Sequence, residues 1–128
     1  MRLMHIAVAC RSEKSADLFY GALLGLTRQE PKTIPVSIAG PLFGCDTPLP
    51  AVNYIGPALH VEVFLVEEPG VLPDRISHVC LGVVNTGTLL ERAAALGFPV
   101  TRVPKGDTWV LFLDDSDGHR FEIKETVS

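Results

Sequence analysis

The chain has 128 residues, enough for one domain or for two half-size units that fold together. Apolar residues make up 47% and charged residues 20%, which supports a packed core and excludes a disordered chain. A formal net charge of −4 argues against nucleic acid or an anionic membrane as the main partner, and no apolar run reaches the roughly 20 residues of a membrane helix.

Leu3 to Ala9 reads as a short apolar strand interrupted by His5. Ser12 is placed to cap a helix running to about Leu24, and Ala16, Phe19, Tyr20, Leu23 and Leu24 have the spacing of a buried helical stripe that Gly25 ends. From Thr27 to Pro57 the prolines at positions Pro31, Pro35, Pro41, Pro48, Pro50 and Pro57 exclude a long helix and confine strands to short or edge pieces. Pro35–Phe43 and Ala51–Ile55 are the two strands expected there. Leu59–Val66 is a stronger strand containing His60 and Glu62, and Glu67–Asp74 is a linker.

The pattern then restarts. Ile76–Leu81 is an apolar strand with His78 at its third position. A helix over Thr86–Leu96 is capped near Asn85 or Thr86 and closed by Gly97, and strands follow at Phe98–Val103, Thr108–Leu113 and His119–Lys124. Asp117-Gly118 is the strongest hairpin signal in the chain. In the last strand, Phe121 and Ile123 alternate with Glu122, so the carboxylate faces away from the two apolar side chains. His5 and His78 are 73 positions apart and Gly25 and Gly97 are 72 apart. Glu62 and Glu122 are separated by only 60, because the first half carries a longer Pro-rich insertion. Each half, residues 1–68 and 75–128, thus reads strand–helix–strand–strand–strand, an α+β class.

A lone strand histidine is ordinarily a hydrogen-bonded core residue, and a lone strand glutamate ordinarily lies on a solvated sheet face. Recurrence at equivalent positions of both halves turns the reading toward ligands. A two-fold repeat would bring His5, Glu62, His78 and Glu122 around one point, and imidazole nitrogen with carboxylate oxygen suits a divalent ion such as Zn, Ni, Co, Mn or Fe. His60, two residues from Glu62 on the same strand face, is the alternative to it. His119 is expected to be exposed in its turn, and Trp109 to be core rather than a substrate platform. Lys105 or Arg11 could reach an anionic group. Cys10, Cys45 and Cys80 form no CxxC pair or disulfide framework and read as small buried fillers in a reducing cytoplasm. The run from Met1 to His5 has no signal-peptide layout.

The segments His5-Ile6-Ala7-Val8, Glu13 to Tyr20 and Leu23-Leu24-Gly25-Leu26 resemble the first module of the glyoxalase / vicinal oxygen chelate superfamily. Ile76-Ser77-His78-Val79 and Asp115 to Ile123 resemble its second module. The resemblance implies a glyoxalase-like domain of two tandem βαβββ modules forming a curved mixed sheet around a central cavity, often dimeric. It places the family's four metal ligands on His5, Glu62, His78 and Glu122. Where bacterial lactoylglutathione lyases carry an arginine on the first strand, this chain has Ala9.

Two classes of function follow as expectations. One is a metal-dependent lyase or isomerase of a small carbonyl or thioester compound, lactoylglutathione-lyase-like, in which Glu122, or Glu62 released from the metal, moves a proton and an enediolate is stabilised. The other is a non-catalytic resistance protein of the same fold that sequesters an antibiotic in an aromatic-lined groove. An epimerase, or a dioxygenase using two His and one carboxylate on iron, is a further member of the same group.

Overall fold

The computed structural model describes residues 2–68 and 78–127. The chain divides into two compact units, Met1–Gly70 and Val71–Ser128, each built on its own mixed sheet. Most of the linker expected at Glu67–Asp74, and the start of the strand expected at Ile76, lie outside the described residues.

In the first unit, strand β1 (Ile6–Cys10) leads to helix α1 (Glu13–Ala16), which continues in wider π-helical turns over Asp17–Leu23. Ser12 caps this helix as its sequence predicts, its hydroxyl accepting from the Ser15 N–H at 3.1 Å. Gly25 follows with φ 74°, a conformation open to glycine without a Cβ penalty. Phe19, Tyr20 and Leu23 are fully buried, as are Val52, Tyr54, Val61 and Val63 of the sheet, and the Tyr20 and Tyr54 rings meet at 5.8 Å. The Tyr54 hydroxyl donates to Asp17 Oδ1 at 2.6 Å, and Arg28 pairs with both Asp17 and Glu13. Burial first, and the Asp17 carboxylate second, push the Tyr54 phenol upward against the opposing pull of Arg28, so it stays a donor that ties helix to sheet.

The sheet runs β1-β5-β4-β2, with β2 (Thr27–Arg28), β4 (Leu49–Ile55) and β5 (His60–Leu65). Strand β3 (Lys32–Ile34) pairs with β4 beside β2. The stretch expected as a strand at Pro35–Phe43 is instead helix α2 (Val36–Phe43). Pro35 sits at its N-cap, where a missing N–H costs nothing, and Pro41 falls in the final turn of a helix only 8 residues long. Gly44, at φ 72°, closes it. The first unit therefore departs from the expected strand–helix–strand–strand–strand order by one extra helix and one extra strand, both within the Pro-rich insertion.

The second unit matches that order: β6 (Val79–Val83), α3 (Thr86–Leu96), β7 (Val100–Lys105), β8 (Thr108–Asp114) and β9 (Arg120–Glu125), in sheet order β6-β9-β8-β7. Asn85 caps α3 through Thr88 N–H at 2.9 Å, and Gly97 ends it at φ 80°. Helix α3 packs on β7 and β9, and Leu89, Ala93, Phe98, Leu113, Phe121 and Ile123 are buried. Trp109, expected in the core, is 58% exposed. Among the cysteines only Cys10 is buried and Cys80 is exposed, so the filler reading fails for Cys80. Burial first, then the Glu122 charge, raise the Cys80 thiol.

His119, expected to be exposed, is half-buried because Asp115 holds it. The buried Asp115 carboxylate accepts from the Asp117 N–H, the His119 N–H and His119 Nδ1 at 2.9, 2.9 and 2.7 Å. Burial alone would lower the imidazole's pKa, but the Asp115 hydrogen bond and charge, with Asp117 adding, outweigh it and the pKa is raised. A folded-state pKa above the unfolded value near 6.5 stabilises most below that pH, and the contribution fades as pH rises through the folded pKa. The stability lost in a His119→Asn variant, measured by urea unfolding, is thus expected to be larger at pH 6 than at pH 9. A deficit that does not change with pH would remove the ion pair from the account.

Candidate metal site

Strand pairing places each histidine beside its glutamate. In the first unit β1 and β5 run parallel with Ala7 opposite Glu62, and His5 stands two residues before Ala7. In the second, β6 and β9 run parallel with Cys80 opposite Glu122, and His78 stands two residues before Cys80. The offset is the same in both units. Residues two apart on an extended chain share a face, so in each unit imidazole and carboxylate fall diagonally on one side of the sheet. The sequence had predicted both histidines inside their strands; instead each immediately precedes its strand.

The opposite face supplies the reason the carboxylates point where they do. Val61 and Val63 flank Glu62 and are fully buried, and Phe121 and Ile123 flank Glu122 in the same way. Burying those pairs forces the intervening glutamate onto the other face. Both glutamates are nonetheless well shielded, with side chains only 13% and 16% exposed.

His5 Nε2 lies 3.9 Å from Glu62 Oε1, and His78 Nε2 lies 3.1 Å from Glu122 Oε2. Around an ion holding its ligands at about 2.1 Å, adjacent ligand atoms stand about 3 Å apart and opposite ones about 4.2 Å. Both separations fall within that range, and the donor types are those a divalent first-row cation takes, so each pair fits two ligands of such an ion. Each carboxylate also has a lysine: Lys32 Nζ is 3.0 Å from Glu62 Oε2, and Lys124 Nζ is 3.6 Å from Glu122 Oε1. His60 shares this face of β5 and its ring lies 5.3 Å from that of His5, but its Nε2 is engaged at 2.7 Å by Asn53 Oδ1. In the second unit the His78 ring stands edge-on to Phe112 at 5.5 Å.

Helix α2 contributes to the first unit's face. Phe64, two residues beyond Glu62 on β5, meets Phe43 at the end of α2 at 5.3 Å. The face is therefore polar around His5, Asn53 and Glu62 and apolar toward Phe64 and Phe43. The sequence gives no local signal for Lys32 or for Phe43 here. Strand β3 is 3 residues long and takes its position from pairing with β4, and α2 lies in the Pro-rich stretch.

No family model matches the chain, and no curated protein matches it. Solved structures do match. A glyoxalase family protein from Enterococcus faecalis aligns with a TM-score of 0.73 at 15% identity, covering 95% of each chain. Glyoxalase I of Leishmania major, described as trypanothione-dependent, aligns with a TM-score of 0.72 at 16% identity, covering 98% of this chain and 86% of that one. The fosfomycin resistance protein FosX of Listeria monocytogenes aligns with a TM-score of 0.68 at 16% identity, covering 95% and 87%. That structure is a complex with Mn(II) and dihydroxypropylphosphonic acid.

Proposed function

Starting from a chain with the vicinal oxygen chelate fold, we propose that it is a metal-dependent lyase or isomerase of a small carbonyl or thioester compound, with His5, Glu62, His78 and Glu122 as metal ligands. The observation that carries this reading is the repeated geometry: in both units a shielded glutamate lies diagonally across a parallel strand pair from a histidine. A solvated sheet face would not shelter both carboxylates to that degree. The FosX neighbour binds Mn(II), which supports a divalent ion of the Mn, Fe, Co, Ni or Zn group for this chain as well.

When bound, the ion would supply Lewis acidity, drawing charge from substrate oxygens and acidifying the adjacent C–H. Glu122, or Glu62 released from the ion, would accept that proton at a carboxylate oxygen and return it to the neighbouring position. His78 would stand beside Glu122 as a ligand, its Nε2 3.1 Å from Glu122 Oε2, and Phe112 braces the His78 ring. In the first unit Glu62 is the second carboxylate able to move a proton, with Lys32 as its counter-charge. His60 is assigned a supporting role, because its Nε2 is already engaged by Asn53. The Phe43–Phe64 contact offers an apolar wall to the uncharged part of a substrate. We place the protein in the cytoplasm as a homodimer; among the described residues no helix is long and apolar enough to cross a membrane.

A second reading is a resistance protein that takes up a small drug without turnover; the FosX neighbour supports it only in being a resistance protein, since that structure holds Mn(II). Elemental analysis of protein purified without chelators separates the two. About one divalent ion per chain is the expected result. Protein that stays metal-free after incubation with Mn(II), Zn(II) and Ni(II) would overturn the enzyme reading in favour of sequestration.

A further inference from the structure

Each shielded glutamate divides its two oxygens between a histidine and a lysine. In the first unit Glu62 Oε1 faces His5 Nε2 at 3.9 Å, and Oε2 holds Lys32 Nζ at 3.0 Å. In the second, Glu122 Oε2 faces His78 Nε2 at 3.1 Å, and Oε1 faces Lys124 Nζ at 3.6 Å. The repeat accounts for the histidines and the glutamates but not for the lysines. Lys124 lies two residues after Glu122 on β9, whereas the residue two after Glu62 on β5 is Phe64. Lys32 arrives instead from β3, in the Pro-rich insertion, and among the described residues the second unit has no counterpart of that strand. Register explains how it reaches the same face. Lys32 pairs with Ala51 on β4, Ala51 pairs with Phe64 on β5, and Phe64 stands two residues from Glu62. Two unrelated positions thus each deliver an ammonium group to a carboxylate.

A carboxylate this well shielded is costly without a counter-charge, and in each unit a lysine supplies one. A divalent ion held by the same carboxylate would take one of its oxygens at about 2.1 Å. That places the ion within a few ångströms of the ammonium group, where like charges repel. The lysines are the partners able to move. Their side chains are 50% and 67% exposed, against 13% and 16% for the glutamates, and each ends in a strongly hydrated charge on a flexible four-carbon stem. Metal uptake is then an exchange of one cation for another, and displacing the lysine subtracts from the ion's affinity.

We infer that Lys32 and Lys124 compete with the ion for these two carboxylates and so set the metal affinity of the site. The inference rests on the proposed function, because it concerns the affinity of that same site. Calorimetric titration of the chelator-treated full chain with Mn(II) and with Zn(II) tests it. Lys32→Met is expected to bind each ion about tenfold more tightly than the wild type. Lys124→Met should gain less, because its contact is longer and its side chain more exposed. Lys32→Arg, which keeps the charge, should show no gain. Without metal, Lys32→Met should melt about 2–4 °C below the wild type. A salt bridge with a structural role alone predicts the lower melting temperature and no gain in metal affinity. Circular dichroism checks folding, and Lys32→Gln takes the place of Lys32→Met if the latter does not fold. Metal affinity unchanged or weakened in the folded Lys32 and Lys124 variants, with the wild type binding metal, would overturn the inference and leave the proposed function standing. Failure of the wild type and of every variant to take up metal would overturn both.

Discussion

Replacing Glu122 by Gln is expected to weaken binding of Mn(II) or Zn(II) by about a hundredfold or more, while thermal unfolding shifts by no more than a few degrees. The carboxylate is shielded to 16% exposure with His78 at 3.1 Å. A carboxamide of the same shape keeps the packing but gives up the negative charge that a divalent ion needs, and its NH2 group is not a ligand. Loss of a group that merely orients a ligand already costs about 10–100-fold in metal affinity, so loss of a ligand itself sets the larger figure. On a substrate identified by screening carbonyl compounds, turnover should fall about 10²–10⁴-fold, the share ordinarily carried by a placed general base. Isothermal titration with each metal and a melting curve on the same preparation check both halves of the expectation. Unchanged metal affinity in Glu122→Gln would take this residue out of the site.

What the sequence revealed about this site depended on alternation. Phe121-Glu122-Ile123 and Val61-Glu62-Val63 each place a carboxylate between two apolar residues, and the structure buries the apolar pair in both cases. The helix over Thr86–Leu96 was legible to the residue, because Asn85 and Gly97 are caps whose chemistry acts within one turn. The Pro-rich stretch was misread for the complementary reason. Proline excludes conformations without selecting one, so Val36–Phe43 could be identified as interrupted but not as helical, and its role in presenting Phe43 to Phe64 depends on a contact 21 positions along the chain. Trp109 was misplaced because its size suggests a core, whereas β8 ends beyond its pairing with β9 and leaves the indole at an opening. Lys32 escaped notice because nothing in a three-residue strand specifies that it will face Glu62; pairing with β4 decides that. Local rules thus recovered the elements whose chemistry is local, and the missed residues are those positioned by pairing between distant strands.

The neighbouring substitution Phe121→Ala is expected to do the reverse of Glu122→Gln. Phe121 is 1% exposed and pairs in register with the fully buried Leu113 on one side and with Val79 on the other. Truncating a buried phenylalanine to alanine costs about 3–5 kcal/mol, from lost transfer free energy and the cavity left behind. For a chain of this size that lowers the melting temperature by roughly ten degrees or more. Phe121→Leu, which keeps most of the volume, should recover the larger part of that loss. Below its lowered melting temperature, Phe121→Ala should still hold metal, because Glu122 and His78 lie on the other face of the sheet. Urea unfolding and metal titration on the two adjacent variants therefore test the strand's alternation directly. One residue should govern stability with little effect on metal, and the next should govern metal with little effect on stability. If Phe121→Ala instead abolished metal binding in protein that circular dichroism shows to be folded, the two faces of β9 would not be independent, and the strand geometry would no longer explain why a glutamate stands there.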